Sequence, residues 1–119
     1  MARYMLAVHS GADASATPMT EEDQQRTWAA IQALEADIKA SGAWVQSARM
    51  DDAGNAVVVR PAGSRKRRTD GPFAETKEHL GGFYVIEAAD LESALSWAER
   101  VTDVISTPIE VRAFAGWAD

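Results

Sequence analysis

The chain contains no cysteine and only two histidines among its 119 residues. The lack of cysteine excludes a disulfide framework, a thiolate metal site and a cysteine nucleophile. His79 lies four residues after Glu75, but no third ligand follows at a metal-binding spacing, so we predict no metal site. A glycine-rich phosphate loop and a nucleophile elbow are also missing, and we therefore predict no cofactor.

Long hydrophobic runs are absent as well. The apolar segment at the N-terminus ends by His9, too short for a signal peptide or a membrane span, so we expect a cytoplasmic protein without membrane contact. The net charge of −6 argues against nucleic acid as the main partner. One basic run, Arg65–Arg68, is a local exception. We interpret it as a solvated strand edge, the alternative being an anion-binding patch.

The remaining composition, with 46% hydrophobic and 25% charged residues, fits one globular domain over residues 1–119. Thr20 before three acids predicts the start of a first helix, which Gly42 ends. Its apolar stripe, predicted to be core, comprises Trp28, Ile31, Leu34 and Ile38. Asp90 predicts the cap of a second helix. Strands are predicted at 3–9, 44–50, 56–60, 82–88 and 109–114, with an extended segment at 64–69.

The turn-forming segment between 44–50 and 56–60 predicts that these two strands form a hairpin. The element order then fits an α+β fold, a ferredoxin-like βαββαβ sandwich whose antiparallel sheet carries both helices on one face. We expect the other face to be bare and to present Trp44, Phe83, Val85 and Phe114. A bare apolar sheet face requires a partner, so we expect a homodimer that forms through the sheet.

The segment Asp70–Glu87 combines a Gly-Pro turn, four alternating charges and a double glycine before an apolar strand. We interpret Asp70–Phe73 as a tight turn in which Gly71 adopts a positive φ and Phe73 anchors the segment. Asp70, Glu75 and Lys77 then form the wall of a polar pocket, where a carboxylate beside an ammonium group binds a zwitterion or transfers a proton. The alternative is an exposed ion-pair cluster with no role in binding.

The same segment closely resembles the signature of DGPF-domain proteins, a branch of the YCII-related family. The resemblance also includes Tyr4-Met5-Leu6, the helix Leu91–Val101 and Ile109–Arg112. It implies a dimeric α/β barrel, in which two ferredoxin-like sheets pack face to face. Enzymes of the wider family are built on a His–Asp dyad with the histidine on the first helix. Here that position falls near Ile31, and the first helix has no histidine.

Two functions remain open. The first is an accessory or binding protein for a small polar or anionic molecule, with Asp70, Phe73, Glu75, Lys77 and Arg60 as ligand-binding residues. The resemblance links this role to sigma factors, because DGPF-type proteins are often encoded beside them. The second is a small lyase or isomerase with Asp70 or Glu75 as general base and His9 or Arg60 as a polarising group.

Overall fold

The structure, a computed structural model, describes residues 1–11, 19–73 and 78–118. It contains two helices, α1 (Glu21–Ser41) and α2 (Leu91–Ile105), and a short 3₁₀ turn at Ala53–Asn55. The strands are β1 (Ala2–Gly11), β2 (Trp44–Arg49), β3 (Val57–Ala62), β4 (Arg65–Asp70), β5 (Glu78–Ala88) and β6 (Ile109–Ala113).

Four of these strands form one antiparallel sheet in the order β2-β5-β1-β6. Without β3 and β4, the chain order is strand, helix, two strands, helix and strand, and the first and third strands occupy the centre. This arrangement is the ferredoxin-like βαββαβ topology. The predicted fold class is therefore confirmed.

Both helices begin at the predicted caps, and α1 also ends at the predicted glycine. The hydroxyl of Thr20 accepts a hydrogen bond from the backbone N–H of Asp23 at 3.1 Å, and Asp90 caps α2 in the same way through Ser93 at 2.8 Å. Gly42 ends α1 with a φ of 83°, a left-handed conformation that glycine adopts without steric cost. Local sequence thus determines the starts of both helices and the end of α1.

The core lies between the two helices and one face of the sheet. Leu34 and Ile38 of α1 and Val101 of α2 pack there against Leu6 and Ile86 of the central strands. Side chains alternate along a strand, so the opposite face presents the residues between them. On that face, over which neither helix packs, Met5 and Phe83 are half-buried, whereas Ala7 and Val85 are only 1% exposed.

One prediction about the bare face needs correction. Trp44 lies on the helix side, where its ring meets Tyr84 edge-on at 6.0 Å and the Lys39 ammonium group lies 4.6 Å from its ring centre. Phe114 directly follows β6, donates its N–H to the carbonyl of Arg3 and packs edge-on against Trp117. The register of β2 against β5 contains a bulge after Trp44, and this bulge changes which side chains of β2 face the helices.

The predicted hairpin of β2 with β3 is wrong. β2 pairs with β5, whereas β3 pairs only with β4, and we call this separate β3–β4 hairpin (57–70) the arm. The linker between β2 and β3 is a 3₁₀ turn in which Asp52 accepts from the N–H of Gly54, so the chain leaves the sheet instead of reversing beside β2. The radius of gyration is 16.7 Å, against about 13.5 Å for a compact chain of this length. The arm therefore extends from the body.

The predicted positive φ at Gly71 is also wrong, since Gly42 and Gly63 are the described glycines with that conformation. Gly71 precedes Pro72 through a cis peptide bond and donates its N–H to the carbonyl of Ala56 at 2.8 Å. A Cβ atom at Gly71 would lie 3.1 Å from Cβ of Ala56 and 3.2 Å from the Val58 side chain. Close packing against the start of β3, rather than backbone strain, accounts for glycine here.

Candidate ligand cavity

A cavity of about 600 Å³ opens between α1, the end of β2 and the start of β5. A volume of this size is typical of sites for small organic molecules. Its apolar wall includes Trp28 and Ile31 of α1, Met50 after β2, Leu80 of β5 and Ile105 of α2. The indole of Trp28 is 52% exposed, so the first turns of α1 contribute to the cavity rather than to the core.

A hydrogen-bonded pair of polar side chains lies in this mainly apolar space. The hydroxyl of Tyr84 donates to Oε2 of Glu35 at 2.9 Å. Tyr84 is buried, and its ring is held by the edge of Trp44. Glu35 is half-buried and follows Ile31 by four residues, which places both on the same side of α1. The pair is therefore held by packing on two rigid elements.

Burial raises the pKa of the Tyr84 phenol well above its usual range, and the hydrogen bond to Glu35 and the carboxylate charge raise it further. Tyr84 consequently remains protonated at physiological pH and acts as a hydrogen-bond donor. A raised pKa of this kind stabilises the fold below about pH 10, and that contribution is lost at higher pH, where the unfolded tyrosine ionises.

Charged groups at the cavity are of both signs. Arg49 lines the cavity, and its positive charge lowers the pKa of Tyr84, opposing the effects of burial and of the Glu35 carboxylate. Asp51 accepts from the N–H of Asp52 and from the amide of Asn55, so its carboxylate stabilises the local turn. His79 completes the polar part of the lining. The cavity thus combines an acceptor, Glu35, with a cation, Arg49.

Gly82 allows β2 and β5 to meet beside this cavity. It is buried and pairs with Arg49 across the two strands. A Cβ atom at this position would lie 3.0 Å from the carbonyl oxygen of Ala48, a backbone atom that cannot move without the strand. The second residue of the Gly81-Gly82 pair is therefore needed for strand pairing at the cavity wall.

The predicted ligand-binding residues that the structure describes lie outside this cavity. Asp70 is exposed at the end of β4, and the ring of Phe73 is 74% exposed beneath the guanidinium group of Arg60, 5.0 Å from the ring centre. All three belong to the arm or its exit and are absent from the lining of the cavity. Glu75 and Lys77 lie outside the described residues. The predicted pocket of Asp70, Glu75 and Lys77 stays a prediction.

His9 lies apart from the cavity, in a shallower depression that it shares with Glu78, Pro108, Ile109 and Glu110. Its Nε2 is 3.9 Å from a carboxylate oxygen of Glu110. The structure therefore does not bring His9 together with Asp70, the combination that the lyase hypothesis considered. Within residues 1–11, 19–73 and 78–118 there is no cluster of three or more histidine, aspartate or glutamate side chains arranged to hold a metal ion.

The sequence interpretation missed the polar pair and Arg49. Trp28, Ile31 and Glu35 recur at helical spacing, and this recurrence was a usable signal, because an acid that continues an apolar stripe indicates a polar group beside the core. Within the segment Asp70–Glu87, residues 79–84 line the cavity. Its first half, Asp70–Phe73, belongs to the arm.

Comparison with known proteins agrees with this fold. The sequence model of the YCII-related domain matches residues 2–117. A relative from Rhizobium meliloti (strain 1021), "Uncharacterized protein R00369", is 32% identical over 84 residues, covering 71% of this chain and 68% of the relative. Neither helix of the described chain has the length and apolarity required to cross a membrane.

Proposed function

Since the chain belongs to the YCII-related family, we propose that it is a small cytoplasmic binding or accessory protein whose cavity holds a small organic molecule. The observation that carries this proposal is the Tyr84–Glu35 pair inside a mainly apolar cavity of about 600 Å³. One oxygen of Glu35 accepts from Tyr84, which leaves the other oxygen for a ligand hydroxyl or ammonium group. The apolar wall accommodates the remainder of the ligand.

The residues at the positions of the His–Asp dyad favour a binding function over the catalysis of the family enzymes. Ile31 occupies the corresponding part of α1 and forms apolar wall. Asp70, which the family resemblance matches to the acidic partner of the dyad, is exposed at the end of the arm. A cavity without either dyad member retains its shape and its hydrogen-bonding pair, and these are features sufficient for recognition.

We extend the proposal to assembly and partners. Two chains associate through the sheet faces opposite the helices, on which Met5 and Phe83 are half-buried, as the dimeric α/β barrels do. The resemblance to DGPF-domain proteins adds an accessory role beside a sigma factor. The two ideas use different parts of the chain: the four-stranded sheet for the dimer, and the separately paired arm for such a partner.

A second candidate function is a lyase or isomerase, and the position of Glu35 favours it. This carboxylate, unlike Asp70, lies within a cavity next to a protonated tyrosine. A carboxylate general base beside a phenol donor is a common arrangement for proton transfer at carbon. The Glu35→Gln substitution separates the two functions: in a lyase it removes turnover while binding persists.

We expect 2-phenylethanol to bind the cavity with a Kd of about 1 mM, as a nine-atom ligand with one good hydrogen bond does. Tryptophan fluorescence measures the binding, because Trp28 lies in the wall. Glu35→Ala should weaken binding about tenfold through loss of a hydrogen bond to a charged acceptor. The matched control is Glu99→Ala on α2, an exposed glutamate away from the lining, which should bind as the unaltered protein does. Equal affinity of both variants would contradict the proposal.

A further inference from the structure

Arg49 differs from other arginines on the body of the protein in having no ion-pair partner among the described residues. Arg3 pairs with Glu87 at 3.1 Å and Arg100 with Asp37 at 2.6 Å, and Arg112 is 3.1 Å from Glu110. Arg49, an exposed residue, instead lines the cavity. An arginine without a protein carboxylate, located at a ligand-sized cavity, suggests that a ligand supplies the anion.

The sheet register places Arg49 on the same side as the Tyr84–Glu35 pair. Ser47 is opposite Tyr84, and Arg49 is opposite Gly82, two residues further along both strands. Residues two apart on a strand face the same way and are separated by about 7 Å. Two anchors of opposite charge therefore border one cavity.

We propose that the ligand is a small zwitterion of the amino-acid type with an apolar side group. Its ammonium group binds Glu35, its carboxylate binds Arg49, and its side group occupies the wall formed by Trp28, Ile31 and Ile105. This inference rests on the proposed function, because it assigns the ligand class of the same cavity. A bidentate contact between Arg49 and the ligand carboxylate strengthens binding and fixes the orientation of the ligand.

The other charges at the cavity favour a zwitterion over a simple anion. Glu35, Asp51 and Asp52 place three carboxylates around one arginine and one histidine. A ligand that carries only negative charge would be repelled by this set, and a ligand that carries only positive charge would leave Arg49 without a partner. A ligand with both charges satisfies Arg49 and Glu35 together.

Four compounds with one phenyl group test the inference: phenylalanine, phenethylamine, 3-phenylpropanoate and 2-phenylethanol. We expect phenylalanine to bind at least about tenfold more tightly than 2-phenylethanol. Arg49→Gln should abolish the advantage of phenylalanine over phenethylamine, which lacks the carboxylate. Glu35→Gln should abolish its advantage over 3-phenylpropanoate, which lacks the ammonium group. Arg65→Gln on the arm removes one positive charge away from the cavity and should change none of these ratios.

The outcomes separate the inference from the proposed function. If 2-phenylethanol binds and phenylalanine binds no better, the zwitterion inference is overturned and the cavity proposal stands. The inference is also overturned if both variants weaken all four compounds equally, since the two groups then do not discriminate charge. If none of the four compounds binds the unaltered protein, both proposals fail. Melting curves of each variant identify any loss of affinity that comes from unfolding.

Discussion

Sedimentation is expected to show a particle of about twice the 12.9 kDa chain mass, and Met5→Glu is expected to reduce it to the monomer. Met5 is paired with Val85 and Arg112 near the centre of the sheet face opposite the helices. A glutamate there would bury an added charge between the two sheets, which costs about 3 kcal/mol and raises the dimer Kd by about two orders of magnitude. Analytical ultracentrifugation at micromolar concentration measures the change.

Met19→Glu is the matched control, because this exposed methionine precedes α1 and makes no part of the sheet. It should leave the dimer intact while adding the same charge. A stable monomer of the unaltered protein would contradict the proposed assembly. Dissociation by both substitutions would instead indicate a general effect of added negative charge on a chain that already carries −6.

Gly82→Val is expected to destabilise the fold by about 3 kcal/mol and to lower Tm by about 10 °C. The first added atom would already lie 3.0 Å from the carbonyl oxygen of Ala48, and the branched side chain adds two more. Relief requires β2 to move away from β5, which disrupts both the sheet edge and the wall of the cavity. Calorimetry measures the first effect, and 2-phenylethanol binding measures the second.

Gly116→Val provides the comparison, since a Cβ atom at Gly116 meets no atom within 4 Å. It should change Tm by no more than about 2 °C. If the two variants have the same Tm, the strands accommodate a side chain at position 82. The double glycine then has no structural role there.

Helix boundaries and fold class were predictable because they depend on local chemistry and on element order. Thr20, Gly42 and Asp90 determine the ends of their helices through hydrogen bonds within a few residues, and each acts as expected. The pairing of β2 was not predictable in this way. A turn-rich linker indicates a change of direction but does not identify the strand that accepts the hydrogen bonds, and β5 lies more than thirty residues away.

The cavity was less accessible to sequence reasoning than the fold. Glu35 and Tyr84 are 49 residues apart, and only the packing of α1 on the sheet brings their oxygen atoms to 2.9 Å. The turn at Asp70–Phe73 has unusual residue types, but Asp70 and Phe73 are exposed at the end of the arm and do not line this cavity. Residue types drew attention to the segment Asp70–Glu87 but did not show that its residues 79–84 border the cavity.

The arm also divides the molecule into two units of unequal stability. A two-stranded ribbon is only marginally stable in water, and β3 and β4 hydrogen-bond to each other rather than to the four-stranded sheet. Their amide hydrogens can therefore exchange with solvent through an opening that leaves the sheet, the core and the cavity closed. The tip at Gly63 and Ser64 is consequently a position where the backbone can be cut or lengthened while the body keeps its fold.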